Sequence, residues 1–249
     1  MLPSSEHIHV LSSLSLTKTC TVPQSIANAC LAPSVRTHAM SSGVPLIASV
    51  LVACCANAKE MMTSWQLCSA TAQAVAQLCE GNVENQVAMG DNGVVPALVS
   101  MLASPNSEMQ ANAAHAISSL THNNADLQGS VARTGAIAPL CALMKEGSEE
   151  VRDAAAGAVW ALAAENTANK ATIAKLGGIE PLVGLVVGGG ADAEQKNSMG
   201  ALISLVSKSN DNREAVFKLI VTKLASRIAM LQTAGGAGKC HQQTPLGIP

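Results

Sequence analysis

Cysteine and histidine are the residues of this chain best suited to chemistry, and their spacing decides whether they form a site. The 249 residues include eight cysteines and six histidines. No two cysteines form a C-x-x-C pair, and no Cys/His spacing is typical of a zinc site. His115 and His122 lie seven residues apart, without a further Cys, Asp or Glu at ligand spacing. We therefore predict no metal site, and we interpret the thiols as reduced and buried.

Two further patterns bear on catalysis. Residues 235–240 (GGAGKC) are similar to a phosphate-binding loop, but that pattern requires glycine at 233 and Ser or Thr at 240, where Thr233 and Cys240 stand. No Ser/His/Asp grouping and no paired carboxylates occupy matching positions on facing helices, so no acid–base or nucleophilic residue is available. We predict a protein that is not an enzyme, with no cofactor and no small-molecule substrate.

The composition excludes other classes of protein. Apolar residues make up 48% of the chain, which is incompatible with disorder throughout. Aromatic residues make up 1% and the net charge is −2, so neither base stacking nor attraction to a phosphate backbone is available. No apolar run reaches the roughly 18 residues that cross a bilayer. We predict a partner other than nucleic acid, and no membrane span.

The elements that must position any site recur with a period of 42 residues. Gly93, Gly135 and Gly177 are spaced by this interval, and a leucine follows each glycine after five residues. A period of this length is typical of a small helical unit that stacks on copies of itself. The chain is therefore predicted to be an all-α solenoid.

The unit around Gly135 shows the predicted pattern. A short first helix runs from about Ala125 to Thr134 and ends at Gly135, which allows a sharp left-handed turn. A second helix covers about Ala138–Glu146. Ser148 is the N-cap of a third helix, about Glu149–Ala163, whose apolar residues recur every three or four positions.

The same pattern divides the whole chain. Repeats are predicted over about residues 43–81, 82–123, 124–165 and 166–208, with a partial repeat over 209–234. The first repeat is longer by about eight residues around Ala58–Trp65. In the last, Ile220 replaces the glycine, and a separate second helix is predicted over about Thr222–Leu231. Residues 1–40 are expected to be an irregular leader or N-terminal cap, and residues 235–249 a flexible tail.

Three segments carry a resemblance to a known family. Residues 93–98, 135–140 and 177–182 each begin with glycine, contain an apolar residue and one proline, and end with leucine. This pattern resembles the armadillo repeat, with HEAT repeats as near neighbours. The resemblance implies a right-handed superhelix of about four three-helix repeats, whose third helices line a concave groove. Many members of the family bind extended peptides there.

The best-known groove of the family, in nuclear-import receptors, uses Trp and Asn four residues apart on successive third helices. This chain lacks the paired array, so import-receptor activity is not predicted. The Trp positions hold Gln73, His115, Gly157 and Gly200, and the Asn positions hold Gln77, Ser119, Ala161 and Ser204.

We therefore predict a non-catalytic, cytoplasmic scaffold that binds another protein, as an extended peptide or a helix, in the groove. An alternative is a structural subunit of a larger assembly that uses its edges and convex face. Residues 7–59 lack Asp and Glu, which leaves organelle targeting through residues 1–40 as an alternative location. The candidate groove contacts share one face of the third helices: Gln73, Gln77, Asn112, His115, Ser119, Asn197 and Ser204.

Overall fold

The computed structural model describes residues 43–56, 58–188 and 192–236, and the predictions for residues 1–40 and for the tail beyond Gly236 lie outside this range. All elements within these segments are helices, with no strand. In chain order they are α1 Gly43–Cys54, α2 Ala58–Thr63, α3 Trp65–Cys79, α4 Val83–Asp91, α5 Val94–Leu102, α6 Ser107–Thr121, α7 Ala125–Arg133, α8 Ile137–Glu146, α9 Glu149–Ala163, α10 Thr167–Lys175, α11 Ile179–Gly188, α12 Asp192–Val206 and α13 Asn210–Gly236.

The third helices form one layer of the stack. Helix α6 packs against α3 and α9, and α9 packs in turn against α12, while each second helix packs on the third helix of its own repeat. The predicted stripe of α9 is confirmed: Val151, Ala155, Val159 and Leu162 are all fully buried. Each buried leucine or valine contributes about 1.5–3 kcal/mol relative to exposure. The small alanines let neighbouring third helices approach closely.

Glycine makes the corner between the first and second helices. Gly93, Gly135 and Gly177 have φ angles of +75°, +90° and +75°, in the left-handed region, as predicted. A Cβ atom at Gly135 would meet no atom within 4 Å, so the requirement for glycine comes from the backbone angle alone.

Buried asparagines close the C-terminal ends of third helices. Asn85 donates a hydrogen bond from Nδ2 to the carbonyl oxygen of Leu78 over 2.7 Å. Asn169 bonds Leu162 over 2.9 Å in the same way. These carbonyls lack an intrahelical partner, and the amide satisfies them where water is excluded. Asn85 and Asn169 thus have a structural role.

A second set of polar side chains joins each first helix to the third helices on both sides of it. Gln86 Nε2 donates to the carbonyl oxygen of Ser119 over 2.9 Å, and Gln128 Nε2 donates to that of Ala161 over 2.9 Å, in each case on the third helix of the same repeat. Both glutamines are buried on a first helix, and the same Nε2 atoms also donate to the end of the preceding third helix, at Cys79 over 3.3 Å and at Thr121 over 3.4 Å. These last two bonds fix the register between neighbouring units.

The structure corrects one element and confirms another. The predicted break in the last repeat is wrong, because α13 continues without interruption through Ile220 and extends to Gly236. The left-handed corner requires glycine, and isoleucine at this position keeps the chain in the helix. In the first repeat, the predicted extra length forms the short helix α2. Other helix boundaries agree within two residues.

No single helix among the described residues is long and apolar enough to cross a bilayer. Helices α10 and α11 together meet the criteria of length and composition, but they are bent by 80° relative to each other.

Candidate functional site

The predicted groove contacts lie on three of the four stacked third helices. Helix α3 carries Gln73 and Gln77, and α12 carries Asn197 and Ser204. Helix α6 carries the remaining three contacts. Because the helices pack side by side in register, equivalent positions align across the layer. We call the surface formed by these positions on α3, α6, α9 and α12 the third-helix face.

The two asparagines of the set bind neighbouring helices. Asn112 Nδ2 donates to Ser69 Oγ over 2.7 Å, and Ser69 Oγ donates to Glu108 Oε1 over 2.9 Å. Asn197 Nδ2 donates to Asp153 Oδ1 over 2.7 Å. Both bonds connect one third helix to the preceding one at equivalent positions. The asparagines therefore stabilise the layer.

The other predicted contacts have side chains that do not hydrogen-bond within the described structure. Gln73 and Ser204 are half-buried, and His115 is exposed. Gln77 is half-buried, and its Oε1 atom is buried without a partner among the described residues. Ser119 is half-buried too, and its backbone carbonyl accepts the Gln86 amide. Apart from the enclosed Oε1 of Gln77, the polar groups of these side chains remain available to a bound peptide.

Helix α9 interrupts the polar row. Its equivalent positions are Gly157 and Ala161, of which Ala161 is 5% exposed. Ser118 Oγ of α6 donates to the carbonyl oxygen of Gly157 over 3.2 Å. A Cβ atom at Gly157 would lie 3.5 Å from Asn197 Nδ2. The centre of the face is therefore shallow and lined partly by backbone.

No aromatic residue is among the contacts predicted for this face, but Trp160 of α9 is 37% exposed there. A Cβ atom at Gly200 would lie only 2.7 Å from its indole ring, so the ring covers Gly200 on the next third helix. The sequence signal for this contact is the combination of Trp160 with Gly200 on the next third helix, since glycine leaves room for the ring.

Charge near the face is mainly acidic at the N-terminal ends of the third helices. Glu108 and Glu150 are exposed, and Asp153 is half-buried. Arg152 Nε donates to Glu194 Oε1 over 2.7 Å, and Glu194 is 1% exposed, so this cation is already paired. At the opposite end, the exposed Lys208 donates to Glu165 over 2.9 Å and lowers the pKa of that carboxyl.

The described residues contain one group that has the donor set of a metal site. The Sγ atoms of Cys54, Cys55 and Cys68 lie within 4.8 Å of one another. Hydrogen bonds from the other two thiols lower the pKa of Cys55. Burial instead raises the pKa of the isolated thiols of Cys79 and Cys141, to about 12 and about 11. The prediction that the cysteines have no ligand spacing overlooked this cluster, because the three residues meet only after folding.

The geometry defines the class of protein: an all-α solenoid of three-helix repeats. The armadillo/β-catenin-like repeat family model matches residues 82–122 and 124–164. These two units are armadillo repeats, and the predicted resemblance is confirmed. Comparison with curated protein sequences finds no match.

Solved structures show the same fold over most of the chain. A designed armadillo repeat protein has a TM-score of 0.74 at 20% identity, with 87% of this chain and 88% of that chain covered. A second designed armadillo repeat protein, in complex with the peptide (KR)4, has a TM-score of 0.73 at 19% identity, covering 89% and 90%. Computationally designed armadillo repeat proteins for modular peptide recognition give 0.72 at 20% identity, covering 87% and 88%.

Proposed function

We propose that this chain is a non-catalytic scaffold that binds an extended peptide along the third-helix face. The observation that carries the proposal is the row of hydrogen-bonding side chains at equivalent positions on neighbouring stacked helices. Gln73 and His115 form one such pair, and Ser119 and Ser204 belong to the next line. Two of the similar designed proteins are described as binding or recognising peptides, which supports the same use of the fold here.

The side chains determine which peptide fits. Glutamine amides donate to and accept from the backbone of an extended chain, and each such bond contributes about 1 kcal/mol. The gap at Gly157 and Ala161 removes bonds from the middle of the row. We expect modest affinity, in which backbone contacts at the two ends matter most.

Charge favours a basic peptide. Glu108, Glu150 and Asp153 lie along one side of the face, and the Arg152 guanidinium beside them is paired with Glu194. Lysine or arginine side chains of a ligand would meet this acidic edge, which speeds association at low salt. Trp160 offers its indole to a cationic side chain or to an apolar one.

The proposal is tested by fluorescence anisotropy with labelled extended peptides of basic, acidic and neutral sequence. We expect the basic peptide to bind most tightly and the affinity to fall with added salt. A Gln73→Ala/Gln77→Ala double variant should weaken binding at least fivefold, since two hydrogen bonds of about 1 kcal/mol are lost. Thr172→Ala, at an exposed site on α10, is the matched control. Equal binding by the double variant and the control would refute the assignment of the face.

A second candidate function is supported by the C-terminal end of the stack. Met199 and Ile203 on α12 are 45% and 61% exposed, although the positions equivalent to Met199 on α6 and α9, Ala114 and Ala156, are fully buried under the next third helix. The stack thus ends in an apolar surface of the same kind as its internal interfaces. This observation favours a subunit that docks end-on against a helical partner protein.

Helix α13 extends this apolar end surface. Its exposed apolar residues alternate at intervals of four and three, which is the spacing of a helix-packing seam. An amphipathic partner helix with the same spacing would cover them. They are Phe217, Val221, Leu224, Ile228 and Leu231.

The two candidates differ in a measurable way. If the end surface docks a partner in a permanent complex, Ile203→Lys and Ile228→Lys should abolish co-purification of that partner. If the third-helix face is the functional surface, the wild type should be a stable monomer by light scattering, and the same variants should bind peptide as the wild type does.

A further inference from the structure

Three cysteines converge at the N-terminal end of the described stack. Cys54 is the last residue of α1, Cys55 follows it, and Cys68 lies in the first turn of α3. Helix α2 lies between them in the chain, which returns so that the start of α3 meets the end of α1. All three Sγ atoms lie within 4.8 Å of one another.

We propose that Cys54, Cys55 and Cys68 bind one soft, thiophilic metal ion, Zn(II) or Cu(I), through three thiolates. Metal–sulfur bonds of about 2.3 Å place the sulfur atoms about 3.8 Å apart in a tetrahedral site and about 4.0 Å apart in a trigonal site. The observed separations need to shrink by less than about 1 Å, which rotation of the cysteine side chains provides. The fit therefore requires no change of the helices.

The donor set selects the class of metal. The group contains sulfur only, with no carboxylate and no imidazole. Thiolates favour Cu(I) and Zn(II), whereas Mg(II) and Ca(II) require oxygen ligands. Three thiolates this close would repel one another strongly, and a cation at their centre removes that repulsion. Binding thus releases the thiol protons as the three metal–sulfur bonds form.

The surroundings also fit a binding site. Cys54 and Cys68 are buried and Cys55 is half-buried, so the cluster is shielded on one side and reachable on the other. Cys79 and Cys141 show the contrast: each is a buried thiol outside any described group of ligands. The ion would join α1 to α3 across α2 and stabilise the end of the stack where the repeat pattern is least regular.

A competition titration of the full, reduced chain tests the proposal, with Zn(II) and Cu(I) each supplied from a coloured chelator. We expect one equivalent of at least one ion to transfer to the protein. Cys54→Ser and Cys68→Ser should abolish the transfer, while Cys79→Ser and Cys141→Ser should retain it. A variant with serine at positions 20, 30 and 240 should also retain it, since the three thiolates suffice.

Two further readouts separate binding from folding. Bound metal should slow alkylation of Cys55 in the wild type, mapped by mass spectrometry, and should raise the melting temperature of the wild type but not of Cys68→Ser. Unchanged transfer in Cys54→Ser/Cys68→Ser, equal loss in Cys141→Ser, or a Cys54–Cys68 disulfide in a protein that takes up neither ion would overturn the proposal.

Discussion

Third helices in the middle of the solenoid and at its C-terminal end are of the same kind but are packed differently. In the middle, α6 and α9 are each packed between two third helices, and Ala114 and Ala156 at the interfaces are fully buried. At the end, Met199 occupies the equivalent position and is 45% exposed. A neighbour on both sides demands small residues and strict periodicity. On α12, where no further third helix packs among the described residues, larger apolar residues occur and the repeat pattern lapses.

The largest expected effect is the loss of a core leucine in the middle. Leu162 is fully buried, so Leu162→Ala should lower the free energy of unfolding by about 2–5 kcal/mol through lost burial and the cavity left behind. Ile203→Ala at the end should change it by less than about 0.5–1 kcal/mol, because that side chain is mostly exposed. Urea denaturation measures both. Similar losses would show that the end is as tightly packed as the middle.

The next effect concerns the corner between helices. Gly135→Val places a β-branched residue at a φ of +90°, and we expect a loss of about 1–3 kcal/mol. At the end, Ala225→Gly in the exposed part of α13 should cost only about 0.5–1 kcal/mol, because the helix there is continuous. Thermal unfolding followed by circular dichroism compares the two. A neutral Gly135→Val would mean that the middle tolerates a different corner.

Equivalent asparagines give a sharper test of the same comparison. Asn169 Nδ2 bonds the carbonyl oxygens of Leu162 and Gln128 over 2.9 and 3.3 Å, whereas Asn212 Nδ2 bonds that of Leu205 over 3.0 Å. Asn169→Ala should cost about 1–3 kcal/mol, since it leaves buried carbonyls unpaired. Asn212→Ala should cost less because its Nδ2 bonds one carbonyl oxygen and not two. Chemical denaturation measures the free energy of unfolding of both variants. A larger loss in Asn212→Ala than in Asn169→Ala would contradict this reasoning.

The smallest effect is expected at the exposed ion pair of Glu165 and Lys208. The pKa of Glu165 is lowered by Lys208, so the pair stabilises the fold above the unfolded pKa of the carboxyl and loses this contribution as the pH falls through the lowered value. Because both groups are exposed, salt screens the interaction. We expect Glu165→Gln to leave the melting temperature unchanged at neutral pH. A clear drop that vanishes in acid would show a stronger pair.

Most of the fold was predictable because each unit signals its own boundaries. Gly135 ends the first helix, Pro139 lies in the first turn of the second, and Ser148 caps the third, with its side chain accepting from the Val151 N–H over 3.4 Å. The continuity of α13 was missed because the repeat pattern was extended past Ile220, where the glycine it depends on is absent. Local signals were sufficient wherever the corner residue was present.

The candidate site was less predictable because its contacts lie between repeats. The register placed Asn112 and Asn197 on the third-helix face, but their bonds to Ser69 and Asp153 depend on how closely neighbouring helices approach. Tertiary packing also determines that the Trp160 ring lies over Gly200 and that the three cysteines lie close together. Sequence spacing gives the face of a helix, and only packing shows which of its groups are already occupied.

The central claim is that the third-helix face receives a peptide. It is tested most directly by mapping amide and indole chemical shifts of the labelled chain while a basic extended peptide is added. We predict shifts along α3, α6, α9 and α12, including the indole N–H of Trp160, with α5, α8 and α11 unaffected. Shifts confined to the second helices or to α13, with the Trp160 signal unchanged, would contradict the claim.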